Sequence, residues 1–277
     1  MSAKGPGLFS DIGKQAKDLL NKDYGTDQKF TVTSYSASGI ALNSTVVKKG
    51  GLFSGDIVSQ HKHKNTTVDV KISTESEVST TFTVADILPS TRTIASIKLP
   101  DYQSGKLEVQ YFHIHTSLST AITLSQSPAF DFSATIGTPS IVFGAEASFS
   151  TNFRKFVKYN AGVSLTKPSS SASVFLANKG DSLRASYLHY LKQLNGGAVV
   201  GEVNRRFSTN ENTLTVGFSY IVDSNTTVKA KLNNHGNLGA LLLHQVTPKA
   251  FLTVSSAFDT KALEKEPKFG LSLNLKP

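Results

Sequence analysis

From about residue 29 to the end of the chain, apolar and polar positions alternate with a period of two. The final run is the clearest: Phe269, Leu271, Leu273 and Leu275 alternate with Lys268, Gly270, Ser272 and Asn274. Successive side chains of a strand point to opposite faces, so the pattern predicts a strand with one apolar and one wet face. Similar apolar faces are carried by Val68, Val70 and Ile72, by Leu107, Val109 and Tyr111, by Leu118, Ile122 and Leu124, and by Phe130, Phe132, Ala134 and Ile136. Further along come Phe143, Ala145 and Ala147, then Tyr159, Ala161 and Val163, then Leu214, Val216, Phe218 and Tyr220. The opposite faces hold Asp69, Lys71, Asp131, Ser133, Glu146 and Thr215, which suit water better than a packed interior. Turn signals separate the runs, among them Lys49-Gly50-Gly51, Gly137-Thr138-Pro139, Asn178-Lys179-Gly180, Asn195-Gly196-Gly197 and Asn234-His235-Gly236. The runs number about nineteen at roughly thirteen residues each, which fits membrane strands of about 9 to 11 residues joined by tight turns.

The first residues follow a different period. Within residues 8–24, Ile12, Ala16, Leu19 and Leu20 recur at helical spacing, with Lys14, Gln15, Lys17, Asp18 and Asn21 around the rest of the turn. Ser10-Asp11 predicts the start of this helix and Gly25 its end. The expected division is a helical segment over 1–27 and a β domain over 28–277. Either the helix packs on the surface of a core, or it lies against a barrel wall inside the lumen, docked through its apolar stripe with lysines facing water.

Hydrophobic residues make up 39% of the 277, and no uninterrupted apolar run is longer than Ala240 to Leu243, so no spanning helix is encoded. A closed barrel is the remaining way to cross a bilayer. Met1 to Phe9 lacks a charged head followed by an apolar core and a small-residue cleavage site, which argues against secretion and against a bacterial outer-membrane barrel. There is no cysteine, so disulfides and thiolate metal sites are excluded. The net charge of +9 is spread over single Lys and Arg residues without the basic-aromatic stripe of a nucleic-acid surface.

If the apolar faces meet lipid, the lumen carries Lys29, Lys71, Arg92, Lys98, Arg206, Lys229, Lys231 and Lys268, joined by Lys14, Lys17 and Lys22 of the helix. Against them stand Asp69, Glu108, Asp131, Glu146 and Glu202. A positive surplus in a wide pore raises the local anion concentration without tight binding. The segment Gly50 to Gly55 lacks the Lys-Ser/Thr pair of a phosphate loop and is read as a turn. His61 with His63, and His113 with His115, share strand faces but have no sequence-placed third ligand, so they are read as polar lumen or rim residues. No nucleophile elbow is present, and nothing in the sequence points to catalysis or to a cofactor.

One segment is specific. Tyr220, Asp223, Ser224, Thr226, Ala230, Lys231, Leu232, Asn233, Asn234, Gly239, Ala240 and Leu242 stand at the spacings of the eukaryotic mitochondrial porin motif. The stretch from Asp11-Ile12-Gly13-Lys14 to Tyr24-Gly25 resembles the N-terminal helix of that family, the voltage-dependent anion channels, and Gly5-Pro6-Gly7-Leu8-Phe9 resembles its plant members. Lys268, Gly270, Leu273 and Leu275 resemble the sorting signal of mitochondrial barrels. Some animal members carry a membrane-facing Glu on the fourth strand; this chain has Val70 there, so nothing attributed to that carboxylate transfers.

The resemblance implies an all-β transmembrane barrel with the odd strand count of nineteen known for that family, the first and last strands pairing in parallel and the helix in the pore. It implies a voltage-gated passage in the mitochondrial outer membrane for inorganic anions and for anionic metabolites such as ATP and ADP. Its partners would be membrane lipid, the mitochondrial barrel-assembly machinery and further copies of the chain. Two alternatives remain: a protein-import pore of the same fold, which would present acidic patches, and a soluble lipid-binding β-protein with inverted strand faces.

Overall fold

A computed structural model describes residues 5–36, 39–191, 196–262, 264 and 266–276. Asn195 of the Asn195-Gly196-Gly197 turn signal lies outside these residues, as do Met1 to Lys4. The strands are β1 (Gln28–Tyr35), β2 (Ile40–Lys49), β3 (Leu52–His63), β4 (Thr66–Ser73), β5 (Val78–Ala85), β6 (Thr91–Leu99) and β7 (Lys106–Phe112). They continue as β8 (Thr116–Thr123), β9 (Ala129–Gly137), β10 (Ile141–Ser150), β11 (Lys155–Lys167), β12 (Ser170–Ala177) and β13 (Ser182–Leu191). The last are β14 (Gly197–Arg206), β15 (Glu211–Asp223), β16 (Thr226–Asn233), β17 (Asn237–Thr247), β18 (Ala250–Asp259) and β19 (Lys268–Leu275).

Every strand pairs antiparallel with the next, and β1 closes the sheet against β19 in parallel, with Gln28 opposite Leu271 and Val32 opposite Leu275. Closure leaves no free edge, so the backbone is hydrogen-bonded throughout, as a lipid surround demands. No described helix is long and apolar enough to cross a membrane.

The register fixes which side chains share a face. Lys29 pairs Ser272 on one side and Val47 on the other, Asp56 pairs Ser73, Lys71 pairs Ser79, and Ser79 pairs Lys98. Carried from strand to strand, this parity returns to its start after nineteen strands. The opposite parity holds the exposed Phe30, Phe82, Phe132, Phe143, Leu214 and Phe218. A soluble chain would bury such residues; a barrel in lipid turns them outward.

The N-terminal segment lies on the inner face. It is not the single helix over residues 8–24 that its spacing suggests. A 3₁₀ turn, Phe9–Asp11, is followed by Gly13 at φ 68°, and the α-helix α1 spans only Lys14–Asn21. Glycine is needed at that break for two reasons: the left-handed backbone, and a wall so close that a Cβ would lie 2.6 Å from Ser173 Oγ. The helix ends at Lys22, which is extended, and Asp23 takes φ 73°, so the chain turns away before Gly25.

Candidate pore lining

The break at Gly13 divides the docking stripe between two patches. Ala16, Leu19 and Leu20 pack on Leu188, Ala198 and Val200, flanked by Tyr190. Ile12 joins Phe9 on a second patch formed by Val142 and Phe175. Phe9 and Phe175 meet edge to face with centroids 5.8 Å apart. Wall glycines make the room: a Cβ on Gly217 would lie 2.7 Å from Leu20, and one on Gly144 would lie 2.8 Å from Phe9 and 2.9 Å from Ile12. Leu188 and Val200 are 1% and 0% exposed although they have lumen parity, because the helix covers them. They are apolar positions on the wet face at the landing site.

Polar contacts complete the docking. Thr135 Oγ1 donates to the Gly7 carbonyl at 2.6 Å, and Ser255 Oγ donates to the Gly25 carbonyl. Lys231 Nζ donates to the Leu20 carbonyl at 2.7 Å and stands 4.4 Å from the centroid of the Tyr24 ring. That carbonyl belongs to the last turn of α1, where partners are otherwise missing and the helix dipole favours a cation. Half-buried, the Tyr24 hydroxyl is pushed up to about 12 by desolvation.

All eight wall cations singled out above, Lys29, Lys71, Arg92, Lys98, Arg206, Lys229, Lys231 and Lys268, have lumen parity. They are not equivalent. Lys71 Nζ lies 2.6 Å from Asp56, Arg206 Nε lies 3.6 Å from Asp181, and Lys14 on the helix lies 3.4 Å from Asp11. Lys231 is occupied by the helix. Lys17, Lys22, Lys29, Arg92, Lys98 and Lys268 are exposed, and none of them makes an ion pair among the described residues. Lys29, Lys71, Lys98, Arg206 and Lys268 stand toward the mouth at which β1 begins, whereas Arg92 is at the opposite one. The acidic positions Asp69, Glu108, Asp131, Glu146 and Glu202 share the lumen parity.

Lys106, Lys158 and Arg184 were not singled out by the sequence reading, yet they line the same face. Lys106 lies 3.6 Å from Asp131, Lys158 lies 2.8 Å from Glu146, and Arg184 sits 5.5 Å from the Phe175 ring centroid. Parity would have found them: Lys106 alternates with Leu107 as Glu108 does, and Lys158 precedes the outward Tyr159.

In the sorting signal, Leu273 and Leu275 face outward while Lys268 and Gly270 face in. A Cβ on Gly270 would collide with the Gly25 carbonyl, so this glycine lets the N-terminal segment cross the wall. The histidines are rim residues, not lumen ones: His61 and His63 fall on the outer parity at the end of β3, and His113 and His115 lie in the β7–β8 turn. The described residues contain no group of three potential metal ligands. Tyr190 packs against the N-terminal segment inside the barrel, and Tyr24 of that segment meets Lys231 of the wall.

The family model described as eukaryotic porin matches residues 5–270. Mitochondrial outer membrane protein porin 2 of Arabidopsis thaliana is 60% identical over 275 residues, 99% of this chain and 100% of its own. Mitochondrial outer membrane protein porin 5 of Oryza sativa subsp. japonica is 56% identical over 277 residues, the full length of both. The outer plastidial membrane protein porin of Pisum sativum is 46% identical over 274 residues, 99% of each.

Proposed function

The chain belongs to the eukaryotic porin family, and we propose that this channel of the mitochondrial outer membrane favours anions weakly and is gated by its N-terminal segment. The observation that supports this most is that several lumen cations are exposed and make no ion pair among the described residues, among them Lys17, Lys22, Lys29, Lys98 and Lys268, with Arg92 at the opposite mouth. Such charges enrich chloride, phosphate and polyanions such as ATP and ADP along the water path. Lys71, Arg206, Lys14 and Lys231 contribute less, since a neighbouring carboxylate or the helix offsets their field.

Residues 5–27, the described part of the segment 1–27, act as a lumenal unit distinct from the β domain over 28–277, and undocking of this unit from its two patches underlies the response to voltage. Lys268, Gly270, Leu273 and Leu275 serve as the signal read by the mitochondrial barrel-assembly machinery. The surplus of lumen cations disfavours the import-pore alternative, which calls for acidic patches.

The test is single-channel recording of the refolded chain with residues 8–24 deleted. An open pore that no longer closes at high voltage is expected. Unaltered voltage closure would overturn the gating role, and failure to form any barrel would make the segment part of the folding core.

A further inference from the structure

The outer wall between β8 and β12 departs from the bulky apolar surface around it. Register aligns Leu118, Ala134, Ala145, Ala161 and Leu176 in one row across five strands. The adjacent row is Thr120, Phe132, Ala147 and Tyr159. Phe132 and Tyr159 stand up on either side of Ala147, and the alanines form the floor of a groove of about 570 Å³.

The groove has a direction. Leu118 is near the start of β8, at the mouth opposite the one where β1 begins; Leu176 is near the end of β12, at the β1 mouth. The row therefore climbs the wall obliquely because the strands tilt. Four strand spacings make it roughly 19 Å long. The row is centred on Ala145, in the middle of β10, and the stretch from there to Lys179 at the β1 mouth covers approximately the depth of one leaflet, half of about 30 Å. At its upper end Lys179 lines the groove from the β12–β13 turn. Lys179 is exposed and makes no ion pair among the described residues.

We propose that this groove is a binding site for one anionic phospholipid, its acyl chain along Ala134, Ala145 and Ala161 and its phosphate against Lys179. The occupant follows from the two ends of the site. The floor lies at hydrocarbon depth, where only an acyl chain is abundant. Lys179 stands where that chain meets its headgroup, and phosphate is the complementary charge.

Native mass spectrometry of the barrel released from micelles doped with phosphatidylglycerol or phosphatidylcholine tests this. Wild type is expected to retain one phosphatidylglycerol and to hold phosphatidylcholine about tenfold less well. Lys179→Glu should abolish that preference, and Ala145→Leu, which fills the floor, should lower retention of both lipids about tenfold; neither should change pore conductance, which also confirms folding. Unchanged phosphatidylglycerol retention in both variants would overturn the proposal. Displacement of the lipid by glycerophosphate alone would overturn the acyl-chain half. A dimer that Ala145→Leu converts to monomer, with lipid retention unaltered, would assign the groove to a second copy of the chain instead.

Discussion

Replacing Lys231 by Met tests whether a wall side chain holds the helix in place. Met keeps the apolar stem and removes the ammonium group, which donates to the Leu20 carbonyl at 2.7 Å and lies 4.4 Å from the Tyr24 ring centroid. A hydrogen bond from a charged donor is worth about 1.5 to 3 kcal/mol, and the lower figure applies where lumen water replaces the lost partner. The half-exposed cation–π contact adds about 0.5 to 1 kcal/mol. Docking should weaken by about 2 kcal/mol, or roughly 30-fold in the docking equilibrium. The chain has no cysteine, so a single Ala16→Cys reports undocking cleanly. Ala16 is 4% exposed against the wall, and a thiol there reacts only when the helix lifts. Modification by a water-soluble thiol reagent should be roughly 30-fold faster when Lys231→Met is added. Lys229→Met, two residues away on the same face, should leave the rate within a factor of two or so. Equal rates with and without the Lys231 ammonium would refute the latch.

Three further outcomes are expected. Phe132→Arg, outward on β9, should destabilise the barrel by about 2 to 4 kcal/mol in urea titrations from lipid vesicles, whereas Ser133→Arg, inward, should cost little; the reverse order would invert the wall. Gly217→Val should expel Leu20, since even a Cβ there lies 2.7 Å from it, and should raise thiol modification at Ala16→Cys without unfolding the barrel; an unchanged rate would contradict the docking geometry. Asp181, in the β12–β13 turn, titrates below the usual carboxylate range, because Ser208 donates to it and Arg206 lies beside it. A depressed folded value means its hold on the β14–β15 turn is present above the unfolded pKa and lost as pH falls through the folded one. Amide exchange at Ser208 should therefore show less protection in acid, and Asp181→Asn should abolish that dependence.

The barrel was legible because its period is two and its turns carry Gly, Pro and Asn. Phe132 and Ser133, adjacent in sequence and opposite in space, show how far alternation alone reaches. Parallel pairing of β1 with β19 was not legible that way, since alternation is the same for either strand direction; it entered through resemblance. The helix was overextended because Ile12 fits the stripe that holds Ala16, Leu19 and Leu20. Nothing local reveals that Gly13 faces Ser173 at a distance that excludes a Cβ. Lys231 illustrates the limit for the site: parity placed it in the lumen, but its partner is a backbone carbonyl 211 positions away. Lumen Leu188 and Val200 carried a readable signal, an apolar break in a wet face, which points to a covering element without naming it.

The reversal potential of a single pore in a low-ionic-strength salt gradient reads whether the lumen cations that make no ion pair among the described residues set the charge preference. Screening is weakest there. Wild type should show a potential of the sign for anion preference, and Lys29→Glu, Lys98→Glu and Lys268→Glu combined should reverse that sign. Lys71→Gln combined with Asp56→Asn, which removes both members of a pair whose charges offset each other, should shift it little. An unchanged potential in the triple variant, with the pore still open, would contradict the account.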